Sequence, residues 1–288
     1  MDELDVVGRA RSFMADLDLS NIREDLGPYL QKANARVRQE DLGPRQSGTV
    51  AEIKGKTVIT VNSSERSERQ RFTICHEIGH KVLGLPSSHQ HVPPWGYAKR
   101  EPNEILCDIF AVELLMPHEQ FAAAARGLEP SLEAVRRLMG NFNTSFPATA
   151  SRLARLAKSP CVFVTMQGGW VKYAAMSTSL RALGARITFK SPIPANSVAA
   201  QLREARSSES AEDYVAQDEW FENWPKGLEL TELSRHHPSS DTTLSLLWFE
   251  EEDAPSIEVD RFGNRVKDEG GLQELTGELP WPGRRRRK

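Results

Sequence analysis

Residues 71–83 read Arg-Phe-Thr-Ile-Cys-His-Glu-Ile-Gly-His-Lys-Val-Leu, with apolar residues at helical spacing and two histidines four positions apart. On a helix of about 3.6 residues per turn, His76 and His80 fall on one face, one turn apart, where the two imidazoles can share a metal ion. That pairing constrains the rest of the chain. The other face of the helix must be buried, and two ligands do not complete a site, because catalytic zinc takes three protein ligands and keeps a position for water. The next helical run, residues 103–116, is apolar at Ile105, Leu106, Ile109, Phe110, Val112, Leu114 and Leu115 and is broken at Pro117. Its first turn offers Glu104 as the third ligand. Asp108, one turn further on the same face, is placed to accept a hydrogen bond from a ligand histidine and fix its tautomer. Glu77 neighbours His76 and is the general base for water and then the proton donor to a leaving amine. The chemistry expected of this set is metal-assisted hydrolysis of a peptide bond; the plain alternative is an amphipathic helix with two surface histidines.

The remainder of the chain predicts an α+β protein. Residues 4–35 carry helical spacing interrupted at residues 18–21 and at Gly27-Pro28, which predicts two short helices. Residues 48–62 alternate apolar and polar around Lys54-Gly55-Lys56, a hairpin whose exposed strand could bind peptide. Residues 87–102 are rich in Pro, Gly and Ser and read as a loop near the site. Further helices are expected over residues 118–126, 131–139 and 147–157, the last two forming a helix-turn-helix pair. After Ser159-Pro160 the composition changes: residues 161–176, 183–193 and 242–252 read as strands and residues 196–206 as a helix. The expected layout is a catalytic domain over 1–126, a helical segment over 127–159, an α+β domain over 160–281 and a basic tail over 282–288.

With 37 Lys and Arg against 40 Asp and Glu, the chain as a whole has no attraction for a polyanion, so a nucleic-acid role would need a local basic face. The acidic start Met-Asp-Glu-Leu-Asp-Val-Val lacks the pattern of a signal peptide, and no apolar run reaches the roughly 18 residues of a membrane span. Three cysteines, Cys75, Cys107 and Cys161, fit free thiols in a reducing compartment. A cytoplasmic location and no membrane association are expected.

The segments FTICHEIGHKVLG and NEILCDIFAVELLMP resemble the ImmA/IrrE family of zinc metallopeptidases, whose pattern is HEIGH followed by E-x-x-A-[ND]-x-F-A-x-x-LLMP. The match is close over residues 72–117, and Cys107 stands where the family usually has alanine. The resemblance implies a zincin-like domain with His76, His80 and Glu104 as zinc ligands and Glu77 as catalytic acid/base. It also implies a helix-turn-helix-like segment in VRRLMGNFNTSFPATASRLARLA and a C-terminal GAF-like sensor domain, for which residues 161–281 carry no motif of their own. The implied substrate is a helix-turn-helix repressor of the Xre type, cleaved to derepress a stress or DNA-damage response. Zn2+ is the implied cofactor, with Mn2+ or Fe2+ as alternatives in the cell.

Other candidates carry plainer readings. Cys75 and His76 project about 100° apart on a helix and do not share a metal easily, so the cysteines read as small buried hydrophobes. His89, His91 and Tyr97 are weak candidates for stabilising a transition state, His118 for starting a helix, and His236-His237 has no partner at ligand spacing. Trp170, Trp220, Trp224 and Trp248 read as core. Arg152, Arg155 and Lys158 are few for reading DNA, so residues 131–157 are expected to act as scaffold or to hold the substrate, with direct DNA binding as the second reading. The alternative function is a DNA- or protein-binding transcriptional regulator with a vestigial peptidase site. A secreted digestive protease is disfavoured by the absence of a leader pattern.

Overall fold

The computed structural model describes residues 1–43, 46–86, 101–222 and 227–249, all of which fall in one compact α+β unit. His89, His91, Tyr97, Trp224 and the tail 282–288 lie outside the described residues. The chain opens with α1 (Glu3–Met14), capped reciprocally: the Asp2 carboxylate accepts from the Asp5 N–H at 2.9 Å, and the Asp2 N–H donates to the Asp5 carboxylate. Gly27-Pro28, an interruption in the sequence pattern, is the start of α2 (Gly27–Lys32), where a missing N–H costs nothing.

Three strands follow. β1 (Ala35–Glu40) runs parallel to β3 (Lys56–Asn62), and β2 (Gly48–Ile53) pairs antiparallel with β3 on its other side. The β2–β3 turn has positive φ at both central residues, 52° at Lys54 and 74° at Gly55, the two-residue geometry that matches the twist of the flanking strands. The helices that carry His76, His80 and Glu104 pack next: α3 (Ser67–Leu83) lies on β2 and β3, and α4 (Pro102–Leu115) packs against both α3 and α1. Three helices complete this part: α5 (His118–Ala125), α6 (Leu132–Phe142) and α7 (Phe146–Leu156). Ser131 caps α6 by accepting from the Ala134 N–H.

The C-terminal part is a five-stranded antiparallel sheet in the order β5-β4-β8-β7-β6, built from β4 (Cys161–Gln167), β5 (Trp170–Met176), β6 (Ser210–Ala216), β7 (Glu229–His237) and β8 (Thr242–Trp248). Short helices α8 (Thr178–Ala182), α9 (Val198–Glu204) and α10 (Gln217–Trp220) connect them. Residues 183–193 do not form the strand their pattern predicts. They contribute one isolated bridge, Pro192 to Trp170, and Lys190 sits at φ 65°, which ends any extended run.

One apolar cluster joins both parts. It runs from Val6 and Ala10 through Ile78, Phe110, Leu114, Leu138 and Leu153 to Phe163, Leu246 and Trp248. α7 is the connecting element, packed on β4 and β5. On α7, Arg152 turns back to α4, where its guanidinium meets Glu113 at 2.8 Å and donates to the Met116 carbonyl at 2.9 Å. The pair is buried, so removing one partner strands the other's charge away from water. Arg152→Ala is expected to lower stability by about 3–5 kcal/mol. Chemical denaturation would check this, and a loss no larger than that of an exposed arginine would show that Glu113 is not held by the pair.

Candidate metal centre

Close helix packing builds the site. Gly79 lies between His76 and His80 on α3, and a Cβ added there would come within 3.3 Å of the Phe110 ring and 3.4 Å of the Cys107 backbone on α4. Glycine therefore lets the two helices approach until the first turn of α4 reaches the imidazoles. His76 Nε2 lies 3.0 Å from His80 Nε2 and 3.0 Å from Glu104 Oε2, and His80 Nε2 lies 3.5 Å from Glu104 Oε1. The carboxylate of Glu104 also sits at a helix N-terminus, where negative charge is favoured.

The outer partners decide where the protons are. His76 Nδ1 is 3.0 Å from Asp108 Oδ1, and His80 Nδ1 is 3.1 Å from the Leu85 carbonyl oxygen. A carbonyl and a carboxylate only accept, so each Nδ1 carries the hydrogen and, in the neutral rings, each Nε2 presents a lone pair. Two nitrogen lone pairs and a carboxylate oxygen thus face one another at 3.0–3.5 Å. Such an arrangement repels itself without a cation. An ion with tetrahedral bonds of about 2.0–2.1 Å would space its donors about 3.3–3.4 Å apart, close to what is observed. The donor set, two imidazoles and a carboxylate, suits zinc and the other divalent metals of its row. Among the described residues, His76, His80 and Glu104 are the one cluster able to hold a metal ion.

The electrostatics agree. Burial depresses the His76 imidazolium, but hydrogen bonds to Asp108 and Glu104, with the charges of Asp108 and Glu77, outweigh it and raise the pKa to about 9. The site therefore favours positive charge. His80 and Asp108 side chains are 2% exposed, whereas His76 and Glu104 are 12% and 16% exposed, so the cluster is open on the His76–Glu104 side. Glu77, buried on α3, acts through its charge on His76 and Cys107.

The remaining candidates fall elsewhere. Cys75, Cys107 and Cys161 are free and fully buried. Burial pushes the Cys75 thiol up to about 12, against the opposing charge of Arg71, and raises Cys107 further with help from Glu104 and Asp108, so neither is a ready thiolate. His118 opens α5, and burial and then Arg152 lower its pKa. His236 lies on β7 with Nδ1 2.9 Å from Thr243 Oγ1. The Leu85 carbonyl escaped the sequence reading because a main-chain acceptor leaves no mark in residue identity.

Residues 30–154 match the model of the IrrE N-terminal-like domain. Over 172 residues the chain is 27% identical to the radiation response metalloprotease IrrE of Deinococcus deserti, spanning 55% of this chain and 61% of that protein. Over 115 residues it is 30% identical to the protein of the same name from Deinococcus radiodurans, spanning 39% of this chain and 35% of that one. These matches support the ImmA/IrrE resemblance over residues 30–154. The matched region contains all three residues of the cluster together with Glu77 and Asp108. The chain spans about three fifths and one third of the length of these curated relatives. A solved Mycobacterium tuberculosis transcriptional regulator shares the fold at a TM-score of 0.56 and 14% identity, covering 85% of this chain and 76% of that one.

Because α3 and α4 meet at Gly79, a large side chain there should separate the ligands. Gly79→Leu is expected to cost about 1–3 kcal/mol of stability through overpacking and to reduce metal uptake together with it. Thermal melting and metal analysis of the same preparation check this; full uptake at unchanged stability would contradict the close approach.

Proposed function

We propose that the chain is a zinc-dependent endopeptidase that cleaves a helix-turn-helix repressor of the Xre type, derepressing a stress or DNA-damage response. The observation that carries the reading is the convergence of three lone-pair donors from α3 and α4, each imidazole fixed by an acceptor behind it. His76, His80 and Glu104 are the ligands we assign. Zinc, when bound, polarises the scissile carbonyl and lowers the pKa of water from about 15.7 to about 7. Glu77 takes the proton of the attacking water and passes it to the leaving amine nitrogen. Asp108 holds the His76 proton on Nδ1 and so keeps Nε2 available.

The substrate class rests on the family and on relatives named for a radiation response. We assign 1–126 as the zincin-like domain, 127–159 as a helix-turn-helix-like segment acting as scaffold or substrate holder, and 160–281 as a GAF-like sensor or recruiting domain. The antiparallel order β5-β4-β8-β7-β6 supports the last assignment. Scaffolding rather than DNA reading by α7 is supported by its arginines: Arg152 pairs with Glu113, and Arg155 reaches Glu3 and the Tyr173 hydroxyl. No described helix is long and apolar enough to cross a membrane, and three buried free thiols fit a reducing, cytoplasmic setting.

Two substitutions separate metal binding from proteolysis. Glu77→Gln should retain stoichiometric zinc yet lose cleavage of the repressor by about 10²-fold or more, whereas Glu104→Ala should lose the metal as well. Elemental analysis beside a gel-based cleavage assay reads both. Repressor loss that continues unchanged in cells carrying Glu77→Gln would instead favour a regulator with a vestigial site.

A further inference from the structure

His80 is fastened to the chain beyond its own helix at two points. Its main-chain carbonyl accepts from the Leu85 N–H at 3.0 Å, and its Nδ1 donates to the Leu85 carbonyl at 3.1 Å. Both contacts depend on the chain reversing at once after α3. Gly84 makes that reversal in the left-handed region, at φ 69° and ψ 30°, where the i to i+5 bond from Leu85 to His80 closes the helix. A Cβ at Gly84 would meet no atom within 4 Å, so the demand for glycine here is conformational and not one of packing. On the far side, Pro86 confines Leu85 to extended backbone, which limits the directions its carbonyl can take. Asp108 does for His76 with a side chain what Leu85 does for His80 with its backbone.

We propose that Gly84-Leu85-Pro86 is a positioning element of the metal site, in which the Leu85 carbonyl keeps the proton on His80 Nδ1 and presents Nε2 to a divalent cation. The proposal rests on the ligand set assigned above. It makes three residues that carry no metal-binding side chain determinants of metal affinity. It also separates two properties of Gly84: the left-handed backbone, which asparagine can also adopt, and the absence of a side chain, which asparagine cannot reproduce.

The test compares Gly84→Val, Gly84→Asn and Gly127→Val with the wild type. Gly127 is a strain-matched control, at φ 73° with no atom within 4 Å of its would-be Cβ, in the turn after α5. Zinc affinity is measured by competition with a chromophoric chelator, and the ligand field by the visible spectrum of the Co(II)-loaded protein. Gly84→Val is expected to lose about 10- to 100-fold in zinc affinity with altered Co(II) bands, the range for loss of a ligand's outer partner. Gly84→Asn and Gly127→Val should keep the wild-type affinity and spectrum. Wild-type affinity in Gly84→Val, or an equal loss in Gly127→Val, overturns the positioning role while leaving the ligand set intact; a wild type that takes up no metal overturns both. Should Gly84→Val fail to fold, long-range 1H–15N NMR of the zinc-loaded wild type decides. A slowly exchanging proton on His80 Nδ1 supports the proposal, and a proton on Nε2 overturns it.

Discussion

Three lone pairs pointed at one another in a nearly closed space are the constraint on which the rest of this structure turns. His76 Nε2, His80 Nε2 and a Glu104 oxygen are held at 3.0–3.5 Å, a spacing that calls for positive charge among them, whether on the His76 ring or on a bound cation. What holds them is arranged around them. Asp108 and the Leu85 carbonyl fix the outer nitrogens, Gly79 brings α4 against α3, and the core formed by Ile78, Phe110 and Leu114 keeps the helices from parting. A divalent cation bound among the three would offset the carboxylate charge, and its binding free energy would then add to the stability of the helix pair.

The C-terminal sheet is tied to this centre by α7 and organised internally by a second buried acid. The Glu232 carboxylate, fully buried on β7, accepts from the Val198 and Ala199 N–H groups at the start of α9, from the Trp220 indole at 2.8 Å and from the Ser234 hydroxyl at 2.7 Å. Burial raises its pKa and those four hydrogen bonds oppose the rise. One side chain thereby fixes α9 and α10 on the sheet. On the opposite face, Tyr173 of β5 meets Ser151 and Arg155 of α7, and Arg152 of the same helix meets Glu113 of α4. A continuous path of packed elements therefore links the sheet to the helix that carries Glu104 and Asp108.

The convergence of His76, His80 and Glu104 was legible because much of it rests on local spacing. The i, i+4 spacing of His76 with His80, and of Glu104 with Asp108, becomes spatial adjacency on any helix, and the need for a third ligand pointed from the first helix to the second, a pairing the resemblance also implies. The β2–β3 hairpin was legible for the same reason, from its turn residues. What escaped depends on partners distant in sequence. β1 is charged and mostly exposed, its alternation runs only from Ala35 to Arg38, and pairing with β3 is what makes it a strand. β7 hides its pattern behind Glu232, Ser234 and His236, polar residues buried because each has a partner. Residues 183–193 erred the other way, showing alternation without a strand to pair with beyond one bridge. Arg152 looked like one of a few surface bases until the fold turned it inward to Glu113.

Zinc K-edge X-ray absorption of the metal-loaded protein reads the coordination shell itself. His76, His80 and Glu104 as ligands predict a shell of nitrogen and oxygen only, at about 2.0–2.1 Å, with the outer-shell scattering of two imidazoles. A sulfur shell at about 2.3 Å would place Cys75 or Cys107 on the metal and contradict the account.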